Sequence, residues 1–181
     1  MGRGIALRLA RDGAVVAVHY GSNRRAAEEA VHEIERSGGS AFAIGADLSV
    51  TDNIQQLYAA LDEELQARIG DNRFDIPVNN AGNGLYATIE ETTEQSFDDL
   101  MNLLAKAPFF LIQQALPRMK DEGRIINISS SATRIAFPNL IGYSISKGAV
   151  DTLTYVLAQH LESHLKITDW CSFGVIMIYW C

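Results

Sequence analysis

Cysteine, tryptophan and proline are scarce in this chain of 181 residues: two, two and four. Two cysteines cannot build a disulfide scaffold, so a reducing cytoplasm is the default setting. Basic residues are outnumbered, 15 Lys plus Arg against 22 Asp plus Glu, a net charge of −7. That balance argues against a phosphate-tracking surface, which needs a basic stripe, and no nucleic-acid partner is expected. No apolar run approaches the roughly 18–20 residues that span a bilayer, and no charged n-region precedes an early apolar core. No membrane partner is expected either. What is present is ordinary: 48% hydrophobic and 20% charged residues, which excludes a disordered or collagen-like chain. The length suits one domain over residues 1–181, because single cores commonly run to about 100–200 residues. There is no internal repeat and no low-complexity linker.

Short β-branched runs alternate with longer amphipathic stretches. Gly2 to Asp12 reads as a helix, and Ala14 to Val18 as a strand buried on both faces. Asn23 to Arg36 reads as a charged helix stopped by Gly38-Gly39, Ser40 to Ala46 as a strand, and Thr51 to Ile69 as a long helix. Phe74 to Asn79 reads as a third strand, although Pro77 within it removes a backbone donor. Thr92, with Gln95 completing a capping box, opens a helix running to about Met119. Gly123 to Ser129 reads as a fourth strand, and about Gly142 to His164 as the final helix. Such βα alternation implies an α/β fold: a parallel sheet with helices on both faces, binding ligands outside the carboxyl ends of its strands. Residues 169–181 break the pattern. Trp170, Cys171, Trp180 and Cys181 hold every tryptophan and cysteine of the chain, and the segment reads as an aberrant apolar tail.

Chemistry concentrates at Tyr143-Ser-Ile-Ser-Lys147. Four residues advance about 400° around a helix, so both side chains share one face. A free tyrosine titrates near pH ~10, and a neighbouring cation favours its phenolate. A tyrosine so placed can pass a proton to or from a carbonyl or alcohol oxygen. Ser130, thirteen residues before Tyr143, ends the preceding strand and could hold the substrate oxygen. Read alone, Ser129 to Ser131 is equally a polar turn. Asn79-Asn-Ala-Gly82 ends another strand, where small residues let a ligand approach the backbone. Read alone, that is a plain βα turn. His160 and His164, at i and i+4, lack a third ligand and read as a solvated helix face, with no metal expected.

Asn-Asn-Ala-Gly after a strand, then Ser thirteen residues before Tyr, then Tyr-x-x-x-Lys, occur here in the order and spacing of a family. From Gly2 to about Thr168 the chain resembles the short-chain dehydrogenase/reductases, of the 3-oxoacyl-acyl-carrier-protein reductase type. The resemblance implies a Rossmann-like doubly wound sheet, a nicotinamide cofactor, and hydride transfer between that cofactor and a small-molecule carbonyl or alcohol. It implies Tyr143 as acid/base, Ser130 on the substrate oxygen, and Lys147 on the nicotinamide ribose. Gly2 would stand at the end of the phosphate turn, Asp47 and Leu48 at the adenine, and Asn80, Ala81 and Gly82 along the adenosine ribose. Ile128 would back the nicotinamide. At the end of the strand beginning at Ala14, Tyr20 stands where an NAD-preferring member carries an acid, followed by Ser22, Asn23 and Arg24. Hydroxyl, amide and guanidinium groups accept a 2′-phosphate, so NADP is favoured over NAD; Ser22 or Asn23 could equally cap the next helix. Family members associate through two long helices, here near 93–119 and 142–164, which implies a homo-oligomer.

The chain departs from the family pattern at both ends and in the middle. Its first strand and two of three phosphate-loop glycines have no counterpart, leaving the strands that end at Val18 and Asn79 without their shared neighbour. Beyond Thr168 the substrate lid, the following helix and the last strand have no counterpart. Leu104 stands where the family usually has its catalytic asparagine, with Asn102 about 200° away around the helix. The alternative expectation is thus a non-catalytic, truncated member that at most pairs with full-length partners.

Overall fold

The computed structural model describes residues 1–161 and the backbone of 175–179. In chain order it forms α1 (Gly2–Arg11), β1 (Val15–Tyr20), α2 (Arg24–Arg36), β2 (Ser40–Gly45), α3 (Thr51–Ile69) and β3 (Ile76–Asn79). There follow α4 (Glu94–Met101), a π-helical turn (Asn102–Lys106), α5 (Ala107–Ala115), β4 (Ile126–Asn127), α6 (Ile141–Leu161) and β5 (Val175–Tyr179). His164 and the end of the expected final helix lie outside the described residues.

The five strands are parallel, in the order β2-β1-β5-β3-β4. One expectation from the sequence is overturned here. The strands ending at Val18 and Asn79 do share a neighbour, because Val175–Tyr179, from the segment read as a tail, pairs with both. Val15 to His19 stand opposite Val175 to Tyr179, and Ile76 to Asn79 stand opposite Ile176 to Tyr179. An apolar run gains two ladders in this position and only one at the outer edge of β4, and a central strand suits an uninterrupted apolar sequence.

Two apolar layers cover the sheet. On one face Ala17, Phe42 and Ile44 pack against Leu57, Tyr58, Leu61 and Leu65 of α3 and Leu111 of α5. On the other, Val16, Val18 and Val78 pack against Ala6 and Ala10 of α1 and Ala27, Val31 and Ile34 of α2. The alternation of Val16 and Val18 with Ala17 is the period-2 pattern that makes β1 a doubly covered strand. Across the first face, Tyr58 Oη donates to the Leu111 carbonyl at 2.8 Å. Arg118 holds Asp62 with both Nε and Nη2, fixing the end of the α5 segment to α3.

Three local expectations are adjusted. The helix cap is Thr93, not Thr92, and the box closes with Ser96: Ser96 N–H donates to Thr93 Oγ1 at 3.1 Å, and Thr93 N–H to Ser96 Oγ at 3.0 Å. The long helix toward Met119 is interrupted by the π-helical turn and ends in a 3₁₀ turn, Leu116–Arg118. Pro77 does lie in an interior strand. Arg124 N–H bonds the Asp75 carbonyl and Ile128 N–H the Asn79 carbonyl, so alternate residues of this segment face β4. Pro77 faces β4 by the same alternation, and the β3–β4 ladder begins only at Val78. The missing donor therefore shortens that ladder and leaves the ladder to β5 intact.

Candidate functional site

The carboxyl ends of β1, β2 and β3 open into a cleft of about 580 Å³. One wall comes from the turns after β1 and β2, with Ser22, Asp47 and Leu48; the other from Gly84 and Leu85 after β3 and Leu103 of the π-helical turn. Leu48 is buried in the core beneath the cleft. Asp47 is exposed, and its Oδ1 accepts from Ser49 Oγ at 2.6 Å and Ser49 N–H at 2.9 Å. The Ser49 hydroxyl first, then the backbone amide, hold the Asp47 carboxyl below the usual carboxylate range.

His19 also lines this cleft and was missed by motif reasoning. It is 1% exposed, and its Nε2 lies 2.9 Å from the Ala46 carbonyl, tying the end of β1 to the turn after β2. Its sequence signal was a histidine at the end of an apolar run.

The remaining residues expected at the adenosine end are distributed around this opening. Tyr20 is half-buried, its ring lying so closely over Gly45 that a Cβ there would fall 2.6 Å from Tyr20 Cζ. Asn23 caps α2, its Oδ1 accepting from Ala26 N–H at 3.0 Å. Arg24 is exposed and donates through Nε to Glu28 at 2.7 Å. Tyr20 and Arg24 line a separate groove along β2 with Glu28, Phe42 and Arg68, not the cleft itself. Ser22 alone of the four sits on the cleft wall.

A second cluster stands at the ends of β3 and β4. Tyr143 and Lys147 lie one turn apart on α6, with Lys147 Nζ 6.0 Å from the Tyr143 ring centroid. Lys147 is 6% exposed, and its Nζ donates to the Ile128 carbonyl at 2.8 Å. Ile128 in turn donates its N–H to Asn79 O, so the ammonium is keyed to the carboxyl edge of the sheet. Ser130 caps the 3₁₀ turn Ser131–Thr133; its Oγ accepts from Ala132 N–H at 3.2 Å. That turn packs on α6, which brings Ser130 to the helix carrying Tyr143, though the hydroxyl is engaged with Ala132.

Asn80, Ala81 and Gly82 leave the end of β3 toward this cluster. Asn80 N–H bonds the Val78 carbonyl, and Ala81 packs on the core. A Cβ on Gly82 would stand 2.6 Å from Leu104 Cδ2 and 3.9 Å from Lys147 Nζ. Leu104, in the π-helical turn, is 1% exposed and fills the space beneath Gly82. Beside them, Asn79 Nδ2 donates to Asn127 Oδ1 and Asn127 Nδ2 to Thr154 Oγ1, which ties β3 and β4 to α6. Gly2 is the buried first residue of α1. Among the described residues no group of three metal-ligating side chains occurs, and no helix is long and apolar enough to cross a membrane.

An open parallel sheet with helices on both faces, a cleft at its carboxyl edge and a tyrosine–lysine pair beside it define a Rossmann-like α/β domain. The family model described as short chain dehydrogenase matches residues 1–172, and the chain belongs to that family. A hydroxynaphthalene reductase-like protein of Metarhizium brunneum is 37% identical over 169 residues, 93% of this chain and 61% of its own length. The hydroxynaphthalene reductase of Aspergillus fumigatus is 38% identical over 158 residues, 87% of this chain and 56% of its own. Among solved structures, the angucycline C-6 ketoreductase LanV with bound NADP superposes with a TM-score of 0.88 at 44% identity. That match covers 90% of this chain and 63% of LanV. A dehydrogenase/reductase from Sinorhizobium meliloti 1021 gives a TM-score of 0.81 at 36% identity, covering 99% of this chain and 66% of its own. The chain thus spans about three-fifths of the length of the curated relatives it matches.

Proposed function

We propose that this chain carries the chemistry of an NADP-dependent oxidoreductase acting between a nicotinamide cofactor and a small carbonyl or alcohol, with Tyr143 as acid/base. The observation that carries the reading is the placement of Tyr143 and Lys147. A phenol and an ammonium share one face of α6, and the ammonium is anchored on the Ile128 carbonyl at the edge of the sheet. LanV, 44% identical, was crystallised with NADP, which supports the same cofactor here.

The residues at the cleft fit the adenosine half of such a cofactor. Leu48 offers an apolar floor, Asp47 a carboxylate kept ionised by Ser49, and Ser22 a hydroxyl on the same wall. No acid stands at the end of β1 to repel a 2′-phosphate. Arg24 lies in the adjoining groove rather than on the cleft wall, and its exposed ion pair to Glu28 is a weak class of contact. Gly2, where the resemblance puts the end of the phosphate turn, is the buried first residue of α1, whose N-terminus would face an anion.

When bound, the nicotinamide supplies or takes the hydride. The protein's own part is proton transfer and positioning. Tyr143 donates its phenolic proton to the carbonyl oxygen in reduction and recovers one in the reverse direction. Ser130 Oγ accepts from Ala132 N–H, so its own O–H is available to hold the substrate oxygen beside Tyr143. Lys147, its ammonium held on the Ile128 carbonyl, stands one helical turn from the phenol. Self-association through α4–α5 and α6 is part of the same reading; Phe109 on α5 and Tyr155 and Val156 on α6 present large exposed apolar surface.

The test is NADPH-dependent reduction of an aromatic or polyketide-type ketone, with NADPH binding followed by its fluorescence. Tyr143→Phe is expected to lower turnover by about 10²–10⁴-fold, the range of general acid–base catalysis, without loosening NADPH. Turnover retained in that variant would refute the tyrosine mechanism. A second reading, a member that does not turn over, is favoured by buried Leu104 in place of the polar residue the family carries. Under it, Leu104→Asn gains activity that the unaltered chain lacks.

A further inference from the structure

Two consecutive residues at the end of β4 hold α6 at two points. The Ile128 carbonyl accepts from Lys147 Nζ at 2.8 Å. One residue earlier, Asn127 Nδ2 donates to Thr154 Oγ1, also at 2.8 Å. Seven residues advance about 700°, within about 20° of two full turns, so Lys147 and Thr154 share one face of α6 about 10 Å apart along its axis. We propose that Asn127 and Thr154 are positioning residues for the Tyr143–Lys147 pair. Their hydrogen bond fixes where α6 lies along the edge of the sheet and so keeps the Lys147 ammonium on the Ile128 carbonyl. The catalytic consequence rests on the proposed function; the placement of Lys147 is read without it.

The bond has a set direction. Thr154 Oγ1 gives its own proton to the Val150 carbonyl at 2.7 Å, so towards Asn127 it acts as an acceptor. Asn127 Oδ1 accepts from Asn79 Nδ2 at 2.7 Å, which leaves the Asn127 Nδ2 for Thr154. Turning that amide over would set donor against donor at Asn79 and acceptor against acceptor at Thr154. Asn79 is 6% exposed, and its Oδ1 is buried with no partner among the described residues, so its side chain is held by the bond to Asn127. Its backbone carbonyl meanwhile accepts from Ile128 N–H at 2.9 Å. Both attachments of α6 thus return to the same residue of β3. Lysine reaches its carbonyl through a long, flexible stem, whereas Asn127 and Thr154 are short, and the short pair defines the spacing.

Competitive acylation of lysines in the folded full chain, followed by mass spectrometry, reads how firmly Lys147 is held. Lys147 is 6% exposed, and Lys120, paired with Asp75, serves as the internal reference. Thr154 is exposed, so Thr154→Val removes the hydroxyl at nearly constant shape without opening the core. That variant is expected to raise acylation of Lys147 at least about threefold relative to Lys120, and Asn127→Leu to do the same from the other end of the bond. Thr154→Ser, which keeps the hydroxyl, is expected to restore the unaltered rate. In ketone reduction kcat is expected to fall about tenfold in Thr154→Val and to recover in Thr154→Ser, because a displaced reacting group loses its orientation.

Unchanged acylation of Lys147 in both Thr154→Val and Asn127→Leu would overturn the proposal. So would an equal rise at Lys120, the mark of a general loosening of the fold. Equal effects of Thr154→Val and Thr154→Ser would also overturn it, since only the first removes the hydrogen bond. Turnover left intact in Thr154→Val while Lys147 is freed would do the same. An unaltered chain that neither binds NADPH nor reduces a ketone, with Lys147 still freed by Thr154→Val, would count against the proposed function alone.

Discussion

Lys147 and Leu104 meet across Gly82, and the absence of a side chain there lets them. A methyl group at residue 82 would press on Leu104 Cδ2 at 2.6 Å, and that side chain is itself only 1% exposed. Gly82→Ala is therefore expected to lower stability by about 1–3 kcal/mol, measured by chemical denaturation. Leu104→Ala in the same chain should relieve most of that loss. The Asp47 carboxyl offers a second residue-level check. Its pKa is depressed in the folded chain, so the stabilisation it brings is complete above its unfolded value, about 3.9, and is lost as pH falls through the lower folded value. Ser49→Ala is expected to move the Asp47 titration, followed by carboxyl-carbon NMR, back toward the ordinary range. Tyr143 and Lys147 were legible in sequence because a spacing of four is a local property of one helix. His19 was not, because its place in the cleft depends on closure of β1 against the turn after β2, which no local spacing encodes.

At the level of elements, boundaries moved where two caps competed or where a long helix changed pitch. Thr92 and Thr93 are adjacent candidates. The second wins because Ser96 can return a hydrogen bond to its backbone, closing a reciprocal box. Thr92 Oγ1 instead donates to the Thr88 carbonyl. Thr93→Ala is expected to cost about 1 kcal/mol in thermal or denaturant unfolding, and Thr92→Ala less, since only the first uncovers an N-terminal amide. The π-helical turn at Asn102–Lys106 was invisible to a 3.6-residue period. It widens the helix at the point where Leu104 enters the space beneath Gly82, so angular arguments from ideal geometry fail there. Pro77 read as an objection to an interior strand. Its missing N–H faces β4, where the ladder starts one residue later, and the objection lapses.

At the scale of the whole molecule, alternation of strands and helices was enough to read a parallel α/β sheet, and every strand through β4 was found near its expected place. Strand order was a different matter. Which strand fills the centre depends on contacts between distant parts of the chain, and an apolar run in an odd composition gave no hint of its partners. Association through the outer helices was implied by the family resemblance and not by composition. Tyr155 is 79% exposed on α6 and Phe109 49% on α5. Sedimentation at micromolar protein is expected to show a dimer or larger, and Tyr155→Glu with Phe109→Glu to shift it toward the monomer with folding intact. A monomer in the unaltered chain would end that reading.

The position of β5 has a kinetic consequence. Residue 15 pairs with residue 175, and residue 76 with residue 176, so the two central ladders close over nearly the longest and a very long loop in the chain. Ordering such loops is entropically unfavourable before any strand pairing rewards it, and folding slows as contacts become less local. Among the described strands β1, β2, β3 and β4 are all made before β5, which joins β1 to β3. An edge of β1 or β3 that residues 175–179 have not yet covered is a template for pairing with other chains.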